Sequence, residues 1–177
     1  MQLPDDPVVR AVWLAAVVDC EGSICVSAEG RRGRAGWAYS VRPMVSASQN
    51  DRRLTDLCTE ITGVGYVGKG RATYTGNLHY YWRVRGWDVT GRVLRQILPY
   101  LLVKADRGTE LLAIITKYEL MMTAPLRYAT HARRRLPNRG TVDVMRALLP
   151  WMEKHQPDTA ALGVCLAAIE RFNAGAG

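Results

Sequence analysis

A chain of 177 residues holds one domain, or one domain with an appendage. Its 48% hydrophobic content excludes a disordered chain. Its net charge of +8, from 24 basic and 16 acidic residues, says little about fold but suits a polyanionic partner.

Arginine supplies 20 of the 24 basic residues. Its planar fork matches phosphates and guanine edges better than an ammonium does, although a GC-rich genome would raise arginine equally well. The apolar run from Ala11 to Val18 is too short to span a bilayer, and no basic segment precedes it as in a signal peptide. Cys20, Cys25, Cys58 and Cys165 have neither zinc-ligand nor redox-motif spacing and read as reduced, mostly buried thiols. His79, His131 and His155 likewise lack metal-ligand spacing.

In chain order, Asp6-Pro7 marks a helix start, with Asp6 as cap and Pro7 at the first helical position. This helix should run through Val18 or Asp19, with Gly22 as terminator. Residues 24–31 and 37–48 alternate like strands. Ile24, Val26, Ala28, Val41, Val45 and Ala47 face one side, and polar residues face the other. The basic stretch 31–36 between them reads as a hairpin loop. A helix begins near Asn50 or Asp51, carries Leu54, Leu57, Cys58 and Ile61, and ends at Gly63.

Two further strands are expected over 66–71 and 78–85, with Tyr80, Trp82 and Val84 inward. The next helix has Asp88 as cap, a stripe of Val93, Leu94, Ile97 and Leu98, and Pro99 as stop. A helix over 106–121 follows. Residues 123–140 are rich in Arg, Pro and Gly, and helical patterns over 141–154 and 158–172 close the chain. The order is α-β-β-α-β-β-α-α, so the expected domains are a core over 1–122 and a basic linker with a helical extension over 123–177.

The first helix carries small residues, Ala15 and Ala16, which let two helix backbones approach closely. If two copies paired there, two Glu21 carboxylates would meet at helix ends whose dipoles are already negative, a cost that divalent cations relieve. Asp19, inside the last turn, is placed to bond backbone near the helix end. The same segment also reads as an ordinary buried helix with a polar end.

The stretch Leu14-Ala15-Ala16-Val17-Val18-Asp19-Cys20-Glu21-Gly22-Ser23-Ile24 closely resembles the signature of the LAGLIDADG homing endonucleases. Small residues stand at its second and third positions, acids at its sixth and eighth, and glycine at its ninth. Ser48-Gln49-Asn50-Asp51, Gly63-Val64-Gly65-Tyr66-Val67 and Leu98-Pro99-Tyr100-Leu101-Leu102-Val103-Lys104 fit the family in the same order, so the resemblance covers roughly residues 10–120.

The resemblance implies an α+β, αββαββα homing-endonuclease fold with a four-stranded antiparallel DNA-binding saddle and added C-terminal helices. It implies that Glu21 binds the catalytic metal, Mg²⁺, with Ca²⁺ or Mn²⁺ able to substitute for binding. Glu21 stands where Asp is usual, one methylene longer. Lys104 matches a basic residue near the scissile phosphate. Gln49, with Ser48 as the neighbouring candidate, matches a polar residue in the water network around the metal. With one motif copy, the family acts as a homodimer through the motif helix, here Trp13, Ala15, Ala16 and Asp19. Each subunit reads half of a near-palindromic target, and cuts leave short 3′ overhangs.

The sheet residues expected to face double-stranded DNA are Ser27, Glu29, Arg31, Ser40, Arg42 and Ser46 from the first strand pair. The second pair would add Lys69, Arg71, His79, Tyr81, Arg83 and Arg85. Arg32 and Arg34 extend from the hairpin, and Arg133, Arg134, Arg135 and Arg139 form a separate phosphate-contacting cluster. The expected protein is a site-specific DNA endonuclease tied to intron or intein mobility, cytoplasmic or organellar, without a membrane partner, and of bacterial or phage origin. The rival readings are a non-cleaving maturase or regulator of the same fold and a protein-interaction domain with incidental charge.

Overall fold

The computed structural model describes residues 4–33, 36–70, 78–123, 139–157 and 159–175, with the side chains of 31–38 and 119–123 outside the description. The elements are α1 (Pro7–Glu21), β1 (Gly22–Gly33), β2 (Gly36–Gln49), α2 (Arg52–Thr62), β3 (Tyr66–Lys69), β4 (Tyr80–Arg85), α3 (Trp87–Ile97), a 3₁₀ turn (Leu98–Tyr100), α4 (Ala105–Thr123), α5 (Arg139–His155) and α6 (Ala160–Gly175). The strands form one four-stranded antiparallel sheet in the order β1-β2-β4-β3. The chain divides into two compact units, Met1–Ile24 with Pro43–Leu112, and Cys25–Arg42 with Ala113–Gly177.

In the first unit, local signals act as the sequence predicts. Asp6 caps α1 by accepting from the Val8 and Val9 N–H groups at 2.7 and 3.3 Å. Asp51 caps α2, and Gly63 closes it in the left-handed conformation at φ 64°. Period-2 burial puts Val45, Ala47, Trp82 and Val84 inside, against Leu14, Ala15, Val18, Leu94, Ile97 and Leu111 of the helices. The Trp82 indole N–H donates to the Val64 carbonyl at 3.1 Å. Gly65, at φ 109°, is required there, since a Cβ would lie 2.3 Å from Trp82 Nε1. Pro43, which has no N–H, lies just beyond the last β2–β4 pair, Met44 with Arg85. Its carbonyl instead accepts from Gly86 N–H and Thr90 Oγ1, each at 3.1 Å.

Several boundaries differ from the pattern reading. α1 continues through Glu21, because Gly22 enters β1 in extended conformation rather than breaking the helix early. The strands run into the expected hairpin, so Arg31 and Arg32 belong to β1, while Arg34 lies outside the described residues. α3 is capped by Gly86 without a side-chain bond, and Asp88 falls in its first turn, where it favours the helix dipole. β3 ends at Lys69 and β4 begins at Tyr80.

In the second unit, Val26 and Val41 are buried, as are Val142, Met145, Leu148, Trp151 and Met152 of α5 and Cys165 and Ala168 of α6. β1 lies at a sheet edge. There the buried Gln156 amide imitates a strand, with Oε1 accepting from Val26 N–H and Nε2 donating to Val26 C=O, both at 3.0 Å. All four cysteines are free. Burial pushes the Cys58 thiol up to about 12 and Cys165 up to about 11, so both stay protonated and inert. Cys25 is half-buried, and Cys20 is exposed.

Candidate active site

The C-terminal end of α1 is tied to the start of α4 by a reciprocal clamp. Asp19 Oδ2 accepts from Leu102 N–H at 2.7 Å and Val103 N–H at 3.2 Å, and Oδ1 accepts from Lys104 N–H at 2.9 Å. These amides lead into α4, so a carboxylate from another helix caps its N-terminus. In return, Lys104 Nζ donates to the Val18 carbonyl at 2.9 Å and to the Asp19 carbonyl. Those carbonyls belong to the last turn of α1, where intrahelical donors run out and positive charge is favoured.

Burial pushes the Asp19 carboxyl upward, but the Leu102, Lys104 and Val103 amides and the Lys104 charge outweigh it and hold it below the usual carboxylate range. Asp19 is therefore ionised and fully engaged. Gly22 follows because nothing larger fits. A Cβ there would lie 2.7 Å from both the Ser46 carbonyl oxygen and Val18 Cα.

Glu21 differs from Asp19 in every respect. It is the last residue of α1 and exposed, and among the described residues it has no hydrogen-bond or ionic partner. A free carboxylate at the negative end of a helix suits a hard cation that takes oxygen ligands. No group of three or more His, Cys, Asp or Glu side chains among the described residues could complete a metal site. The donor chemistry of Glu21 fits Mg²⁺ or Ca²⁺, whose remaining positions other oxygens would fill. Gln49 ends β2 opposite Tyr80, and its Oε1 accepts from Asn50 N–H at 3.3 Å. Among the described residues, no hydrogen bond joins it to Glu21, Asp19 or Lys104.

Register decides the outer face of the sheet in the first unit. Met44, Ser46 and Ser48 stand opposite Arg85, Arg83 and Tyr81, and Tyr66 and Gly68 stand opposite Arg83 and Tyr81 from the other side. Lys69 pairs with Tyr80, which puts it with Val67 and Trp82 on the opposite face from Arg83. Its side chain is exposed nonetheless, on the edge strand of the sheet. Gly68 and Gly70 make room for rings. A Cβ on Gly70 would meet the His79 imidazole at 1.8 Å, and His79 Nδ1 is buried without a hydrogen-bond partner among the described residues. Tyr66, missed by the pattern reading, is 65% exposed on this face.

No protein-family model matches the sequence, and no curated protein matches it. Solved structures do. The homing endonuclease I-CvuI, solved with its DNA target and calcium, superposes with a TM-score of 0.66 at 22% identity, over 94% of this chain and 96% of that one. Archaeal intron-encoded I-Vdi141I, complexed with DNA, gives 0.65 at 15% identity, over 96% and 100%. The LAGLIDADG homing endonuclease I-GzeII with its DNA target gives 0.52 at 13% identity, over 84% of this chain and 49% of that one. The fold is that of the LAGLIDADG homing endonucleases.

Within this homing-endonuclease fold, the motif helix divides its small residues. Ala15 is fully buried in its own unit. Ala16 is exposed and continues a stripe with Val8 and Val12, which are 53% and 45% exposed, and Trp13 is half-buried. Leu102 and Val103, whose amides Asp19 holds, are 87% and 80% exposed. In the second unit, Ser27 Oγ donates to the Arg42 carbonyl at 3.3 Å, the Arg42 side chain is exposed, and Glu29 and Ser40 are half-buried. Arg71, Arg133, Arg134 and Arg135 lie outside the described residues, and Arg139 opens α5 within 4.0 Å of Asp143. No helix among the described residues is long and apolar enough to cross a membrane.

Proposed function

We propose that this chain is a site-specific, Mg²⁺-dependent double-strand DNA endonuclease that acts as a homodimer on a near-palindromic target and leaves short 3′ overhangs. The observation that carries this reading is the division of labour at the end of α1. Asp19 is consumed in the clamp, while Glu21, two residues on, is exposed and uncommitted. The DNA-bound state of the neighbouring structures and the calcium present with I-CvuI support the same assignment.

Glu21 would hold the divalent cation, with further oxygens from scissile phosphates and from Glu21 of a second copy. The ion supplies acidity to water and charge to offset what develops at phosphorus. Asp19 fixes the segment 102–104, and that segment fixes the Lys104 ammonium beside the same helix end, so one positive charge stands near Glu21. Water attacks the phosphodiester as the bond to the leaving oxygen breaks. The exposed stripe of Val8, Val12 and Ala16, with Leu102 and Val103, gives the second copy an apolar face to cover. Ser46, Arg83 and Tyr66 would face DNA from the sheet and read base edges in the major groove.

A plasmid library carrying randomised inserts, incubated with the full chain in Mg²⁺ and then in Ca²⁺, tests this directly. Cutting of a defined subset in Mg²⁺ is expected, with binding but no cutting by Glu21→Gln. Saturated binding that leaves every plasmid intact in Mg²⁺ would replace this reading with that of a non-cleaving regulator or maturase.

A further inference from the structure

On the outer face of β3 and β4, the Tyr81 ring does not stand upright. A Cβ on Gly68 would lie 2.5 Å from Tyr81 Cζ and Oη, so the phenol occupies the space that a side chain on β3 would fill. Tyr66 flanks it, with centroids 6.1 Å apart and planes at 57°. The Arg83 guanidinium sits over the Tyr81 ring, 4.8 Å from its centroid.

Stacking fixes the plane of a guanidinium and leaves its N–H fork free, because the fork points along that plane. Arg83 is exposed and has no carboxylate partner among the described residues, whereas Arg85 already has another partner. Arg83 also stands in the middle of a row, between Ser46 and Tyr66. An open cavity of about 420 Å³ beside it is lined by Tyr66, Arg83 and Arg85 together with apolar residues.

We propose that Arg83 reads one guanine in each half of the target, and that Tyr81 is the positioning residue that holds its fork. Guanine presents O6 and N7 as two adjacent major-groove acceptors, which match two donors of one guanidinium. A lysine offers the same charge without the fork. Tyr81 thus changes from the reader expected from strand alternation to a platform, and Gly68 is the residue that permits it. The inference deepens the endonuclease reading and rests on it.

The test is selection of bound duplexes from a randomised DNA pool in Ca²⁺, using the full chain and four variants. Wild type should prefer guanine roughly 5- to 150-fold at one position per half-site. Arg83→Met should lose that preference, because it leaves no donor for guanine O6 and N7. Tyr81→Phe should retain the preference. Tyr81→Ala and Gly68→Ala should each weaken it several-fold, the second by displacing the ring without altering either partner. If wild type selects a sequence and Arg83→Met selects the same one at every position, the assignment is overturned and the endonuclease reading stands. Full guanine preference in Tyr81→Ala overturns the positioning role. A wild-type pool as random as the input overturns this inference and site-specific recognition together.

Discussion

Asp19→Ala removes the acceptor for three amides at once, at 2.7, 3.2 and 2.9 Å. Hydrogen bonds to charged groups contribute about 1.5–3 kcal/mol each when desolvated, and loss of a helix cap costs about 1 kcal/mol. Asp19 is only partly buried, and water can replace some of what is lost, so the expected total is about 2 kcal/mol. That corresponds to a melting point lower by about 4–8 °C for a chain of this size. Asp19→Asn keeps one acceptor oxygen and should cost about half as much. The amides of Leu102, Val103 and Lys104 should exchange faster with deuterium in both variants.

The pH dependence has a definite sign. The folded carboxyl titrates below its unfolded value, so its stabilisation is present above the unfolded pKa of about 3.9 and is lost as pH falls through the folded value. Asp19→Asn should lack this acid-side loss. Melting curves at neutral pH and in the acid range, with amide exchange read by NMR, decide the matter. An Asp19→Ala protein that melts with wild type and keeps its 102–104 amides protected would refute the clamp.

Ala16→Glu places a carboxylate on the exposed stripe without disturbing the core and should yield monomers at micromolar concentration, whereas an unchanged sedimentation coefficient would remove α1 from the seam. Gln156→Leu leaves both polar groups of Val26 unpaired and should lower stability by about 2–4 kcal/mol in urea titrations. Gly65→Ala combines a positive φ with a Cβ against the indole, and should cost about 2–3 kcal/mol with a red shift of tryptophan emission.

Some of this protein was legible in the sequence because the responsible forces act within a few residues. Asp6 and Asp51 start helices and Gly63 ends one through bonds and dihedrals inside a single turn. Ile24, Val26, Val41, Val45 and Trp82 declare their faces by alternation, and the motif from Leu14 to Gly22 marks where chemistry should be sought. Glu21 is exposed where that motif puts it.

What only tertiary structure decided depends on partners far apart in the chain. Asp19 meets Lys104 across 85 residues, and Gln156 meets Val26 across 130. No local preference specifies either pairing. Ala15 and Ala16 are chemically identical, and helix rotation against the core buries one and exposes the other. In β3, Gly68 carries no side chain, so pairing with β4 brings the Tyr81 ring over it. Composition and periodicity thus located the end of α1. Packing determined that Asp19 would be spent holding it and that Glu21 would be left free.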